Sequence, residues 1–347
     1  MPDRVVATGQ DLDACLPLDL ESVYAAQRRL TGAVHRTPVL SSRTMDAVVG
    51  AAVLFKCESF QRTGSFKFRG AYNALASLSD AQRRQGVCAV SAGNHAQAVA
   101  LAARELDITA TILMPHDAPP AKLAAVSDYG GVVVTYDRYV FDQSELLAEY
   151  AAEHGLFPIH PFDDPIIAAG AGTAALELLE QADRLDTVVV PIGGGGAISG
   201  FATVFNELHP SVRIIGVQPE ALPSTAASLA AGRRVTLEPK PHIADGQTLT
   251  SPGRWTFEIM RRLVDDVVTV SDAQLVTAMR FLFDRMKLVT EPSGAAGAAA
   301  LLSKSLQLNP GERVAVLLSG GNVGVERFIE LMTRTDVPGK QSGSRTQ

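Results

Sequence analysis

Lys67 stands between two phenylalanines in the stretch GSFKFRG, residues 64–70, with a glycine at each end. Ser65 is placed to cap a helix that starts at Phe66, which puts the lysine in the first helical turn. A cation there opposes the helix macrodipole, and the flanking rings remove its water. Both effects depress a lysine pKa and favour the neutral amine, which can act as nucleophile, base or partner for an aldehyde. Taken alone, the segment also fits a lysine that lays its stem along apolar neighbours and keeps its head in water.

Three other segments bear on that choice. Each is an apolar run ending in a turn of small residues, and the first two turns lead into a helical stretch. VCAVSAGNHAQAVALAARE carries Ser91, Ala92, Gly93, Asn94 and His95. The N–H groups of a helix start, with a serine hydroxyl and a side-chain amide, suit a carboxylate or phosphate. An ordinary N-cap by Ser91 or Asn94 accounts for the same residues. TVVVPIGGGGAISGFATVF has four consecutive glycines, Gly193, Gly194, Gly195 and Gly196. Glycine loses more freedom on folding than any other residue, so four in a row make sense where backbone wraps a ligand. Phosphate is the natural guest of such a nest at a helix start. RVAVLLSGGNVG ends in Ser319, Gly320, Gly321 and Asn322, where Ser319 can turn its hydroxyl into a cleft or belong to a routine turn. A desolvated lysine, a phosphate nest and a carboxylate site together call for a phosphorylated aldehyde and an amino-acid substrate. Pyridoxal 5'-phosphate meets that description.

Short apolar runs at 51–58, 86–91, 110–115, 130–136, 186–193, 213–219, 265–271 and 313–320 are expected as strands. Helices are expected over 94–106, 142–154, 172–183, 197–208, 272–288 and 294–306. Near-continuous apolar strands alternating with helices indicate an α/β fold whose parallel sheet is covered on both faces. In such sheets ligands bind beyond the carboxyl ends of the strands, where the three small-residue turns fall. No long linker divides the chain, so a second lobe is expected as an insert. The expected division is a large cofactor-binding domain from 1–76 and 157–335, a small domain over 77–156 carrying the SAGNH loop, and a disordered tail over 336–347.

The 347 residues are 46% hydrophobic and 20% charged, with a formal net charge of -6 and no basic block. Nucleic acid and anionic membrane surfaces are therefore not expected as partners. No run of 18 apolar residues occurs, so no membrane span is expected, and the N-terminus lacks the apolar core of a signal peptide. The three cysteines, Cys15, Cys57 and Cys88, are an odd number without a CxxC, which points to free thiols and a cytoplasmic protein. No GxGxxG can be read through the glycine run, because Ile198 and Ser199 stand where the third glycine belongs. A dinucleotide site is thereby disfavoured, and no P-loop occurs.

The motifs GSFKFRGA, SAGNHAQA, HPFDDP, VPIGGGGAISG, IADG, EPSGAAG and LSGGNVG, in this order, resemble those of the fold-type II pyridoxal-phosphate enzymes. The resemblance is to the serine/threonine dehydratase (threonine ammonia-lyase) family, which includes the serine racemases, and it spans 35 to about 330. It implies a tryptophan-synthase-β-like fold of two open, twisted, mostly parallel sheets flanked by helices, usually assembled as a homodimer. It implies that Lys67 holds the cofactor and is the base at Cα, and that Phe66 lies against the ring. Asn94 is implied to bond the ring hydroxyl, Ser319 the ring nitrogen, and Gly193 to Gly196 the phosphate. Gly246 and Glu291 line the cofactor pocket. Ser91, Ala92, Gly93, Asn94 and His95 form the loop that grips the substrate carboxylate, with Ser91 also counted as catalytic. The implied activity is β-elimination from a β-hydroxy amino acid, L-threonine or L-serine first, to a 2-oxo acid and ammonia. The alternatives are 3-hydroxyaspartate or phenylserine as substrate, or serine racemisation. Racemases of the family resemble SSGNH where this chain has Ala92, and a methyl carries no proton, so elimination is favoured. No metal is expected: Gln218 stands where some members have an acid, and His160, Asp163 and Asp164 are read as turn structure. Ala171 departs from the family's usual glutamine.

Overall fold

The computed structural model describes residues 16–334 apart from 139, 141 and 142. Cys15 and the tail 336–347 lie outside the described residues. The strands are β1 Val39–Ser41, β2 Ala52–Cys57, β3 Val87–Val90, β4 Ala110–Pro115 and β5 Val132–Tyr136. They continue as β6 Phe157–Pro158, β7 Thr187–Pro191, β8 Arg213–Pro219, β9 Asp266–Val270 and β10 Arg313–Leu318. One sheet has the order β1-β2-β10-β7-β8-β9 and the other β5-β4-β3-β6. Every neighbouring pair is parallel except β1 on β2. β3, β4 and β7 are buried along their whole length, which is why they read as unbroken apolar runs. All eight expected strands are present. β1 and β6 escape a reading by periodicity because they are three and two residues long. The strands of the smaller sheet span Val87 to Pro158, so β6 lies two residues beyond the expected end of the insert.

The carboxyl ends of β3, β7 and β10 carry the three small-residue turns. β10 lies between β2 and β7, with Leu318 opposite Cys57. The last strand among the described residues therefore returns to the middle of the large sheet and sets Ser319 close to the lysine segment. Phe66 N donates to Ser319 O at 3.0 Å, and Ser65 forms an isolated bridge with Gly320. This pairing corrects the expected helix start. Ser65 has extended backbone, its buried hydroxyl has no protein partner, and the helix Lys67–Ala76 begins with Phe66 at its N-cap.

The helix expected over 172–183 begins earlier, as Pro165–Gln181, with Asp164 as its cap and proline in its first turn. Its glycine-rich start looks like loop in sequence because the glycines serve packing. A Cβ on Gly170 would stand 2.6 Å from Arg69 O, and one on Gly70 would stand 2.8 Å from Ile167 O. A Cβ on Gly200 would stand 2.6 Å from Gly172 N. Helix Pro165–Gln181 thus lies backbone to backbone against Lys67–Ala76 on one side and Gly196–Leu208 on the other, an approach only glycine permits. The second glycine of GSFKFRG has this role. The helix expected over 294–306 is a 3-10 turn, Pro292–Ala295, followed by Ala296–Leu302.

Arg69, two residues after the lysine, is fully buried. It donates to both oxygens of Glu58, at 2.8 and 2.9 Å, and to both of Glu177, at 2.7 and 2.9 Å. Lys56, also fully buried, meets Glu177 at 2.6 Å. Burial alone would raise the Glu58 carboxyl, but the paired guanidinium outweighs it and holds the group below its usual range. Removing one partner of such a pair leaves an uncompensated buried charge. Arg69→Ala is expected to lower unfolding free energy by about 3–5 kcal/mol, measured by urea denaturation.

Candidate functional site

A cavity of about 370 Å³ opens where the carboxyl ends of the two sheets face each other. Lys67, Phe66, the segment Ser91 to His95, Gly193 to Gly196, Gly246, Glu291 and Ser319 all line it. Every site residue expected from the sequence is therefore brought to one cavity, from segments up to 253 positions apart. Lys67 Nζ donates to Pro161 O at 2.7 Å and lies 5.3 Å from the centre of the Phe66 ring. Burial pushes the Lys67 ammonium down to about 8, with Glu291 pulling weakly the other way. Glu291 is pushed up to about 7 by burial, against its hydrogen bond from Asn94. Its Oε1 accepts from Asn94 Nδ2 at 2.6 Å.

The helices that begin at this cavity lack side-chain caps. Lys67–Ala76 follows Phe66, Asn94–Glu105 follows Gly93, and Gly196–Leu208 follows Gly195, none of which caps with a side chain. Of the helices that start elsewhere, five are capped by Asp19, Ser42, Ser79, Asp164 and Ser271, while Ser224–Ala230, Ala296–Leu302 and Val325–Thr333 also lack an N-cap side-chain bond. The alternative of a plain cap by Ser91 or Asn94 is not what forms: the Ser91 hydroxyl accepts from Gly93 N at 3.1 Å instead. At Asn94–Glu105 and Gly196–Leu208 the uncapped starts leave main-chain N–H groups available at the cavity wall, as an anion site requires, whereas at Lys67–Ala76 Phe68 N and Arg69 N are taken up by Ser65 O and Phe66 O. Gly195 has φ +99, which favours glycine. A Cβ on Gly193 would stand 2.6 Å from Gly246 O, so the glycine turn and the IADG segment also touch by backbone. Gly246 N is held by Ser293 Oγ at 2.9 Å.

His95 differs from the other loop residues. It is buried, its Nε2 lies 3.3 Å from Ile159 O, and burial with Lys67 nearby pushes its pKa down to about 3. The ring is neutral and brings no positive charge to a carboxylate. Ala92 packs against the apolar core of the smaller sheet. The acids and histidine read as turn structure accept from main-chain N–H groups. Asp163 accepts from the N–H groups of Arg254, Trp255 and Thr256 and so caps Arg254–Leu263. Asp164 caps its own helix, and His160 Nδ1 accepts from Asp163 N at 2.8 Å. Gln218 Oε1 accepts from Thr225 N and Ala226 N, at 2.9 and 3.1 Å, at the start of Ser224–Ala230. Among the described residues no His, Cys, Asp and Glu side chains gather as a metal site. Cys57 and Cys88 are buried free thiols, raised to about 12 and about 11 by burial.

Some lining residues were not singled out by sequence. Pro161 and Phe162 belong to HPFDDP, but only the fold shows that the Pro161 carbonyl holds the lysine and that Phe162 covers Gly194. Lys122 and Arg138 line the cavity mouth, and nothing in their local sequence marks them. Lys122 lies 3.8 Å from the exposed Asp245, and Arg138 pairs with Asp117.

The family model described as "Pyridoxal-phosphate dependent enzyme" matches residues 30–320, and this chain belongs to that family. It is 48% identical to an L-threo-3-hydroxyaspartate ammonia-lyase of Pseudomonas sp, over 89% of this chain and 97% of that protein. It is 42% identical to an L-threonine ammonia-lyase of Thermotoga maritima, over 91% of this chain and 79% of that one. The solved structure of maize serine racemase superposes with a TM-score of 0.87 at 40% identity, covering 91% and 97% of the two chains. The fold is therefore that of the fold-type II enzymes, and the family's cofactor is pyridoxal phosphate.

The residues present fit that cofactor. A part-buried amine depressed by burial can take an aldehyde, and glycine amides at an uncapped helix start can take a phosphate. Ser319, 6% exposed at the end of β10, offers a hydroxyl. The fraction of neutral Lys67 rises with pH through about 8 and saturates above it. The rate at which cofactor-free protein captures pyridoxal phosphate, followed by stopped-flow absorbance, should level off above about 8. A rate still climbing towards 10.5, the ordinary lysine value, would mark Lys67 as solvated.

Proposed function

We propose that the protein is a pyridoxal-phosphate-dependent ammonia-lyase that removes the β-hydroxyl and amino groups of an L-β-hydroxy amino acid, yielding a 2-oxo acid and ammonia. One observation carries this: the depressed Lys67 amine shares a cavity with the glycine turn and two further uncapped helix starts. When bound, the cofactor supplies a sink for the electron pair left at Cα. Lys67 would hold the aldehyde carbon and, once free, would take the Cα proton and pass it to the departing β-hydroxyl, which leaves as water. The amides of Gly193 to Gly196 would hold the phosphate, with Gly246 against them. Phe66 would cover one face of the ring, Ser319 would meet the ring nitrogen and Asn94 the ring hydroxyl, all three lining the cavity. Ser91, Gly93 and Asn94 hold the α-carboxylate at the start of Asn94–Glu105, while neutral His95 fixes the loop to Ile159. Ala92 offers no acid on the far side of Cα, which disfavours racemisation.

L-threonine and L-serine are the first substrates of this reading. A second substrate reading, L-threo-3-hydroxyaspartate, is favoured by Lys122 and Arg138, two cations at the cavity mouth that suit a second carboxylate. The named activity of the Pseudomonas relative supports it. Incubating the purified protein with L-serine, L-threonine, L-threo-3-hydroxyaspartate and phenylserine, and quantifying 2-oxo acid and ammonia, separates these readings. Release from at least one is expected, and Lys67→Ala should abolish it. A pigmented protein that releases nothing from any of them would exclude this activity.

The same proposal includes the division into a large domain, 1–76 and 157–335, and a small inserted one, 77–156, and a cytoplasmic enzyme. Among the described residues no helix is long and apolar enough to cross a membrane. It includes a homodimer. Val325, Ile329, Phe60, Val289 and Phe283 are each more than 40% exposed. Gly321 lies against both Ser59 and Val289, and Phe283 meets Phe328 on the helix Val325–Thr333, so these segments adjoin. An apolar surface of this kind marks an interaction face. Sedimentation should give a dimer that Ile329→Asp converts to monomer. A wild-type monomer would contradict it.

A further inference from the structure

Asn322 has no part in the roles assigned above, yet its carboxamide sits where three segments of the site meet. Its Nδ2 donates to Thr63 O at 2.6 Å and to Asn94 Oδ1 at 2.8 Å. Asn94 Nδ2 in turn donates to Glu291 Oε1 at 2.6 Å. The first acceptor settles the orientation of every amide in the chain of bonds. A peptide carbonyl can only accept, so the atom of Asn322 that meets Thr63 is its nitrogen. The second hydrogen on that nitrogen then requires oxygen from Asn94. Asn94 must turn its NH2 the other way, giving one N–H to Glu291 and leaving the second for the cavity it lines.

The surrounding backbone is shaped to admit this arrangement. Thr63 and Gly64 both have left-handed backbone, with φ of +57 and +71. A Cβ on Gly64 would fall onto the Asn322 carboxamide. A Cβ on Gly320 would meet the Glu291 carboxyl. Asn322 therefore ties together the turn before Lys67, the loop after β3 and the segment after β10.

Pyridoxal phosphate carries its ring hydroxyl on the carbon beside the aldehyde, so a group that faces the hydroxyl must lie next to the lysine that takes the aldehyde. We propose that Asn322 is a positioning residue that locks the Asn94 amide with its free N–H towards that hydroxyl, favouring the deprotonated oxygen. This rests on the reading of Asn94 given under the proposed function. Glu291 accepts from Asn94 through either its carboxylate or its neutral carbonyl, so its protonation does not turn the amide over.

The test uses full-length protein reconstituted with pyridoxal phosphate. The readouts are the ratio of the long- to the short-wavelength absorption band of the bound cofactor, which reports loss of the hydroxyl proton, and Kd for pyridoxal phosphate. Asn94→Ala and Asn322→Ala should both lower the ratio and raise Kd about tenfold, the worth of one charge-assisted hydrogen bond. The double variant should go no further than Asn94→Ala alone. Asn322→Asp, nearly isosteric, sets oxygen against the Thr63 carbonyl and Asn94 Oδ1. Asn94 then turns over and presents oxygen to the hydroxyl, so the ratio should fall below that of Asn322→Ala. If Asn322→Ala is insoluble, Asn322→Asp carries the test. Wild-type ratios in both Asn322 variants, with a lowered ratio in Asn94→Ala, would overturn the positioning role, as would additive shifts in the double variant. An unchanged ratio in Asn94→Ala would instead remove the reading of Asn94 and the inference with it.

Discussion

The buried guanidinium of Arg69 fixes the geometry on which the site depends. It sits on the helix that begins with Lys67 and grips Glu58 at the end of β2 and Glu177 on Pro165–Gln181, with two hydrogen bonds to each carboxylate. Bidentate pairing sets direction as well as distance. The helix can then neither rotate, which would swing Lys67 away from the cavity, nor slide along its neighbour. The contacts of Gly70 and Gly170 set how closely the two helices approach, and those of Gly172 and Gly200 carry the same spacing to the helix that starts at the glycine turn. Amine and glycine turn are thus held in register by backbone contact behind the cavity.

The two sheets supply complementary parts. The large sheet brings the glycine turn and Ser319 through adjacent parallel strands, β7 and β10. The smaller sheet brings the loop from Ser91 to His95. Asn94, Glu291 and Asn322 form the polar join between them at the cavity wall. Because the join is made of amide and carboxyl groups in fixed orientation, it transmits position without an ionised pair.

The sequence discloses the parts of this arrangement that depend on local pattern. Buried parallel strands leave continuous apolar runs, so β3, β4, β7 and β10 are readable without structure, and the small-residue turns after three of them locate the site. What is hidden depends on tertiary contact. β6 is two residues long and exists only as a partner of β3. The first turns of Pro165–Gln181 look unlike helix because their glycines answer to neighbouring backbones. Ser65 has the composition of a cap but is drawn into extended pairing with Gly320. His95 reads as a polar loop residue and is in fact a neutral core group. Lys122 and Arg138 reach the cavity from separate elements, and no linear motif records that meeting.

Three uncapped helix starts around one cavity also have a consequence for the protein without its ligands. Each start carries about half an elementary positive charge, and like ends confined in a poorly hydrated space repel. The sum, about one and a half charges, is close to the charge of a single phosphate group at neutral pH. On the proposed reading, phosphate and substrate carboxylate would serve as counterions to the polypeptide itself. Anions at these starts would offset that repulsion through the peptide dipoles rather than through any side chain.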